Sequence, residues 1–122
     1  MLFVNWLTLS LLSPFLVRMP PLVPSDQLEA VARRFRLLGE PVRLELLSVL
    51  HDEGAMAVGD LVDATGHRQA NVSKHLTRMA EEGLLTRHQD GLYVYYAVAD
   101  PTLAALCQLV RGRLDGEIAA DD

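Results

Sequence analysis

The polar and basic residues best suited to binding a ligand lie within positions 66–96. Part of this segment is a predicted helix whose two sides differ in composition. If residues 69–82 are helical, Val72, Leu76 and Met79 share one apolar side at i, i+4, i+7 spacing. The opposite side is small, polar and basic: Ala70, Asn71, Ser73, Lys74, Thr77 and Arg78. A face of this composition can enter a DNA major groove without steric clash and donate hydrogen bonds to bases and phosphates.

Two kinds of DNA contact are predicted for this helix. Gln69 and Asn71 carry amide groups that can bond adenine in a bidentate manner, and Lys74 suits guanine or phosphate. Arg68 near the start and Arg78 near the end are expected to bind phosphates. The predicted DNA-binding residues are Arg68, Gln69, Asn71, Ser73, Lys74, His75, Arg78, Arg87 and His88. The alternative is an ordinary solvated helix face.

A β-hairpin is predicted to follow the helix. Its strands are expected over residues 84–88 and 92–98, around Asp90 and Gly91, a dipeptide typical of tight hairpin turns. The side chains expected to touch DNA backbone or minor groove are Arg87, His88, Gln89 and Tyr93. Tyr95 and Tyr96 are instead predicted to pack against the core.

Further helices must position this segment. They are predicted over residues 27–38, 42–51 and 58–64, with a last helix after Asp100 and Pro101. The third and fourth helices form a predicted helix-turn-helix, joined by residues 65–67. The predicted fold class is therefore mainly α with a small β-hairpin wing, a winged helix-turn-helix.

The terminal helices carry apolar stripes that the chain itself cannot fully cover. In the last helix the stripe consists of Leu103, Leu106, Cys107, Val110 and Leu114. We expect these helices to pair with their copies in a homodimer. Two recognition helices about 34 Å apart would then address a palindromic operator in double-stranded DNA.

Composition limits the class of protein. The chain has 122 residues, a mass of 13.5 kDa, 50% hydrophobic residues and a net charge of -5, which fits one small domain and disfavours a generic polyanion binder. With one cysteine, no disulfide can form within the chain, and a cytoplasmic location is predicted. The predicted division is an apolar and proline-rich extension (1–24), a DNA-binding and dimerisation domain (25–115) and an acidic tail (116–122).

Residues 1–17 are almost entirely apolar. The favoured interpretation is that translation begins at Met19, because the run is too short for a membrane helix and Pro14 interrupts it. A weak membrane or partner anchor and an export signal are the alternatives, although a positive start and a cleavage site are not visible. No stable membrane association is expected.

Taken together, these motifs resemble the ArsR/SmtB family of winged-helix regulators over roughly residues 28–114. The segments that carry the resemblance are FRLLGEPVRL (35–44), VGDL (58–61), QANVSKHL (69–76), EGLL (82–85), and Gly91 with VYY (94–96). The resemblance implies a homodimeric transcriptional repressor that releases operator DNA when a metal ion or a redox signal acts on it.

The family's sensing residues do not carry over to this chain. Ala57 and Gly59 stand where one family metal site has cysteines. Of a second site along the last helix only Asp100 is present, with Thr102, Arg113 and Gly116 at the remaining positions. The four histidines (His51, His67, His75 and His88) include no pair at i, i+4 spacing. We therefore predict no metal site and no cofactor.

Cys107 has two interpretations. Its place in an apolar stripe predicts a buried thiol that acts as a small hydrophobic residue. A redox switch is the alternative, with Cys107 of two protomers facing each other. Buried thiols without a nearby cation are unreactive, which favours the first.

The function predicted from the sequence is sequence-specific DNA binding that represses transcription, with release by an unidentified metal or redox signal. A winged-helix protein-interaction module without specific DNA binding is the alternative. An enzyme is not predicted, because a nucleophile elbow, a phosphate loop and a positioned acid–base pair are all missing from the sequence.

Overall fold

The computed structural model describes residues 20–120, which fall into two units divided after Arg33. The described part of the first unit holds a 3-10 helix, Ser25–Gln27, and the beginning of helix α1 (Leu28–Leu38). The predictions for residues 1–17 and for Met19 lie outside the described residues. No helix in the described range is long and apolar enough to cross a membrane.

The second unit contains the elements that the sequence predicts, in the predicted order. After α1 come α2 (Pro41–Glu53), β1 (Met56–Ala57), α3 (Val58–Thr65), α4 (Gln69–Glu81), β2 (Leu85–Asp90), β3 (Tyr93–Val98) and α5 (Thr102–Ala120). The winged helix-turn-helix fold class is confirmed. The helix-turn-helix is α3 and α4, and the wing is β2 and β3.

Helix boundaries follow from local chemistry. Pro41 occupies the first turn of α2, where a missing N–H costs little, and the Glu40 carboxylate accepts a 2.9 Å hydrogen bond from the Arg43 N–H. Helix α3 ends at Gly66, whose φ of 75° lies in the left-handed region that glycine enters without strain. The sharp stop at Gly66 lets the chain turn into α4.

The sheet has three antiparallel strands in the order β1-β3-β2. Strand β1 was not predicted, because its two residues are too short for a detectable alternation; Met56 and Ala57 pair with Tyr96 and Tyr95. The turn prediction was wrong by one residue. Asp90 pairs with Tyr93, so the turn residues are Gly91 and Leu92, and the φ of 60° at Gly91 places glycine first, as in a type II′ turn.

A single apolar cluster in the second unit holds α4 in place. The side chains that are almost completely buried are Leu46, Leu50, Leu61, Val72, Leu76, Met79 and Leu84. Three of them, Val72, Leu76 and Met79, form the predicted inner side of α4, and that prediction is confirmed. Helix α4 packs on α2, α3 and β2, so its orientation is set by contacts on three elements.

Helix α5 is only partly covered by its own chain. Leu103 is buried, whereas Val110 and Leu114 are 54% and 51% exposed. The prediction that Cys107 is buried was wrong: its side chain is exposed, because the core covers only the first turns of α5. The helix continues to Ala120, so the predicted domain boundary after residue 115 falls within it.

Candidate nucleic-acid interface

The outer side of α4 is open to solvent along its whole length. Gln69, Lys74 and Arg78 are exposed, and Asn71 and Ser73 are half-buried. None of these five side chains belongs to the buried inner side of α4. The structure thus brings together on one face most of the residues predicted to bind DNA from this helix.

The turn before α4 is tied to the rest of the second unit by polar contacts. The Thr65 hydroxyl donates to the Leu61 carbonyl at 2.7 Å, and His67 Nε2 lies 2.7 Å from Glu45 Oε2 on α2. Arg68 is the residue that precedes the first turn of α4, and its carbonyl accepts from the Val72 N–H at 3.0 Å. These contacts fix the N-terminal end of α4, where a recognition helix contacts bases.

The cations of this face have no acidic partners in the described chain. Among residues 20–117, Arg68, Lys74, Arg78 and Arg87 take part in no ion pair, whereas Arg111 and Arg113 on α5 pair with acids one turn away. An unpaired surface cation can approach a phosphate without first breaking an internal contact. The charge of this face is therefore available to an anionic partner.

His75 does not belong to this face, which corrects the prediction that it binds DNA. Its side chain is 7% exposed and lies among the inner residues of α4. Arg43 Nε donates to His75 Nδ1 at 3.1 Å, and His75 Nε2 lies 4.0 Å from Glu40 Oε2. A buried imidazole that is bonded to another helix cannot reach a base edge.

Burial is also the main influence on the pKa of His75. Loss of hydration lowers this pKa, while the Glu40 carboxylate raises it. Arg43, Lys74 and His67 lower it further through electrostatic interactions. The imidazole is consequently held in its neutral form at physiological pH.

Sequence reasoning assigned Arg43 no site role and missed its contact with His75. The two residues are 32 positions apart, and no local pattern connects them. The sequence did contain an indication that His75 is buried. His75 stands three residues after Val72, a spacing that places it on the inner side of the helix.

The wing projects into solvent beside α4. In β2 only Leu85 is buried, and the following five residues, including Arg87 and His88, are exposed. On β3, Tyr96 is 4% exposed and packs in the core, as predicted, while Tyr93 at the tip is 63% exposed. Since β2 contacts α4, Arg87 and His88 stand on an element that adjoins this helix.

No metal centre is formed by the described residues. Across positions 20–120, no three histidine, cysteine, aspartate or glutamate side chains cluster closely enough to hold an ion. Asp100, the one residue matching a family ligand position, accepts from the Thr102 hydroxyl at 2.6 Å and pairs with Arg34 at 3.1 Å. The hydrogen bonds from Thr102 hold the pKa of Asp100 below its ordinary value, and Arg34 contributes less.

Comparisons with known proteins agree with this architecture. Residues 38–88 match a family model described as a helix-turn-helix domain. A Streptomyces lividans protein, named as a probable mercury resistance operon repressor, is 35% identical over 73% of this chain and 70% of its own length.

Two solved structures are also similar. An antimony-specific transcriptional repressor, AntR, is 28% identical with a TM-score of 0.71, covering 88% of this chain and 96% of that one. The homodimeric winged helix-turn-helix domain of Mb0332 from Mycobacterium bovis, described as a possible ArsR-family regulator, is 29% identical with a TM-score of 0.66 and covers 80% and 91%.

The fold, the exposed helix face and these likenesses define a winged helix-turn-helix DNA-binding regulator of transcription. No enzyme family is indicated by the comparisons. The chain belongs to the ArsR/SmtB family of transcriptional regulators.

Lys74 and Asn71 should affect DNA binding in different ways. We expect Lys74→Ala to weaken binding to every duplex and to reduce the slope of log K against log salt by about one, because one phosphate contact is lost. Asn71→Ala should relax the preference at one base pair, by about 1–3 kcal/mol. Fluorescence anisotropy with duplex DNA from upstream of the gene, at several salt concentrations, measures both.

Arg113→Ala is the matched control, since it also removes one cation but lies on α5 and is paired with Glu117. If Lys74→Ala and Asn71→Ala both behave like this control, α4 is not the helix that contacts DNA.

Proposed function

We propose that the protein is a homodimeric repressor that binds a palindromic operator through α4 of each protomer and is released by a chemical signal. The observation that carries this proposal is the exposed basic and polar face of α4 beside a wing that projects into solvent. In this proposal Gln69 and Asn71 contact base edges, and Arg68, Ser73, Lys74 and Arg78 contact phosphates or the groove walls. Arg87 and His88 contact the neighbouring DNA backbone or minor groove.

The charge distribution supports binding that depends on sequence. The whole chain carries a net charge of -5, so its long-range field repels DNA, and non-specific attachment is weak. The cations on α4 and β2 act only where they meet phosphates directly. An α4 helix that fits the major groove of its operator therefore gains these phosphate contacts. On other DNA sequences, where the fit is poor, it does not gain them. The proposed action needs no catalysis, and we propose that it takes place in the cytoplasm.

Exposed apolar side chains support the proposed dimer. On α5, Leu109, Val110 and Leu114 are 74%, 54% and 51% exposed, and Phe35 near the end of α1 is 55% exposed. Contiguous exposed apolar surface marks protein interfaces, and fully burying one such side chain contributes about 1.5–3 kcal/mol. The Mb0332 domain, with a similar fold, is homodimeric. A two-fold axis between α5 helices would present two α4 helices to two half-sites about 34 Å apart.

Cys107 is the proposed target of the releasing signal. Its exposed thiol lines a cavity of about 260 Å³ between α2 and α5, with His51 and Gln108 also in the wall. Two of the similar proteins are named as a probable mercury resistance operon repressor and an antimony-specific transcriptional repressor. Mercury and antimony both bind thiolates strongly. We propose a thiophilic metal ion or an oxidant as the signal, not a resident cofactor. Typical coupling between such a site and DNA is about 1–3 kcal/mol.

DNA binding by the wild-type chain is the direct test. We expect the full chain to bind duplex DNA from upstream of its own gene about 10³-fold or more tighter than random DNA of equal length. The affinity should fall steeply between about 50 mM and about 200 mM salt. Equal affinity for both duplexes would contradict the proposed function and favour a protein-interaction module.

The dimer should depend on the exposed surface of α5. Val110→Glu is expected to raise the dimer dissociation constant about 100-fold or more, because burying an unpaired charge in the interface costs about 3 kcal/mol or more. Sedimentation at several concentrations measures this shift. Gln108→Glu adds the same charge on the same helix with little change of volume, and it should leave the dimer intact. A wild-type chain that sediments as a monomer at all concentrations would refute the proposed assembly.

Release by a thiophilic signal should require Cys107. Mercuric ion, arsenite or a persulfide donor added to the preformed protein–DNA complex is expected to weaken wild-type binding about 5–150-fold, the usual range of coupling. Cys107→Ser should bind DNA normally and resist the additive. Equal release of both proteins would show that the signal acts elsewhere, and no release of either would show that it is not thiophilic.

A further inference from the structure

Arg43 joins the start of α2 to the middle of α4 through His75. Its Nε donates to His75 Nδ1 at 3.1 Å, and its terminal nitrogen donates to the Leu37 carbonyl at 3.4 Å. Its backbone N–H donates to Glu40 Oε2 at 2.9 Å, and the same carboxylate oxygen lies 4.0 Å from His75 Nε2. Arg43 thus makes both side-chain and backbone hydrogen bonds where α2 meets α4. Glu40, which caps α2, lies at the same place.

The direction of the hydrogen bond determines the protonation state that the fold requires. Arg43 can only donate, so His75 Nδ1 must be an unprotonated acceptor, and the single ring proton is on Nε2, facing Glu40. A second proton on Nδ1 would remove this acceptor and place an imidazolium beside a guanidinium. Protonation of His75 is therefore incompatible with this contact.

The surroundings of His75 mostly favour the neutral ring. The charged and titratable groups around it are Arg43 on α2, Lys74 on α4, His67 in the preceding turn and Glu40 at the start of α2. Burial and the first three groups lower the pKa of His75, and only Glu40 raises it. Above the ordinary histidine value of about 6.5 the ring is neutral in folded and unfolded chains alike. Below it the unfolded chain takes up protons first, so stability falls as pH falls.

We propose that Arg43 is a positioning residue for DNA binding: its hydrogen bond to the neutral imidazole of His75 holds α4 in its DNA-reading orientation, and acid breaks that bond. This inference rests on the proposed function, since it concerns the same helix. His75 follows Asn71 by one helical turn and is next to Lys74. A change in the packing of His75 therefore alters the direction of the side chains that face DNA.

The expected pH dependence is opposite to that of an ordinary DNA-binding surface. Protonation of an exposed histidine adds positive charge and strengthens binding to phosphates. Protonation of His75 adds a charge that is too deeply buried to reach DNA. It also disturbs α4, the helix that must contact DNA. The two effects are separable by comparing variants over the same pH range.

The test is anisotropy with duplex DNA from upstream of the gene, between about pH 7.5 and about pH 5.5. His75→Asn retains a side-chain oxygen acceptor for Arg43 but cannot be protonated. We expect it to bind like the wild type at the upper pH and about tenfold tighter than the wild type at the lower pH, the effect of about one charge-assisted hydrogen bond. Arg113→Ala removes a paired cation from α5, away from both the α4 contact and the cavity, and should keep the wild-type profile.

A double-mutant cycle separates positioning from general stability. Arg43→Gln should weaken binding about tenfold at the upper pH, the effect of losing one such bond. It should have little further effect in the His75→Leu background, because its partner is then missing. Unfolding by urea, followed for each variant, shows the fraction folded in the binding assay. An equal loss in both backgrounds would overturn the proposal.

Ring nitrogen chemical shifts of His75 in the wild type test the contact without any variant. A neutral ring with the proton on Nε2 is expected at the upper pH, and a proton on Nδ1 would refute the inference. Parallel pH profiles of the wild type and His75→Asn would refute the inference alone. Failure of the wild type to prefer upstream DNA at any pH would refute the proposed function itself.

Discussion

Burial of one side of α4 is the constraint on which the rest of the molecule depends. Val72, Leu76 and Met79 are completely buried, and each contributes about 1.5–3 kcal/mol by leaving water. Rotating the helix to hide its outer side would expose these residues and bury Lys74 and Arg78 without partners, which costs far more. The apolar spacing thus determines which residues face a partner, before any contact with DNA is considered.

This dependence explains which features could be predicted from the sequence. The two sides of α4, the stop at Gly66 and the hairpin follow from residues close together in the chain, where periodicity and turn chemistry act directly. The contact of His75 with Arg43 depends on how α2 and α4 pack, and β1 exists only because β3 lies beside it. Such features come from tertiary packing, which no local pattern records.

The exposure of Cys107 has a similar origin. The apolar stripe of α5 is continuous in the sequence, but the core of one chain covers only its beginning, at Leu103. From the pattern alone, a residue buried in its own chain cannot be distinguished from one that a second copy would cover. The stripe therefore predicts an apolar side for α5 but not the place where the protomer's own core ends.

Within the described residues, helix α2 lines the cavity and also carries Arg43, which contacts α4. Leu47 and His51 on α2 line the cavity beside Cys107, and Arg43, at the start of the same helix, is bonded to His75. An α-helix is stiff over this length, so a displacement forced at the cavity would move Arg43 as well. Because that hydrogen bond is either made or broken, even a small movement of α2 changes how α4 is held. If the proposed signal binds at Cys107, this arrangement would give it a physical route to α4 through packed atoms.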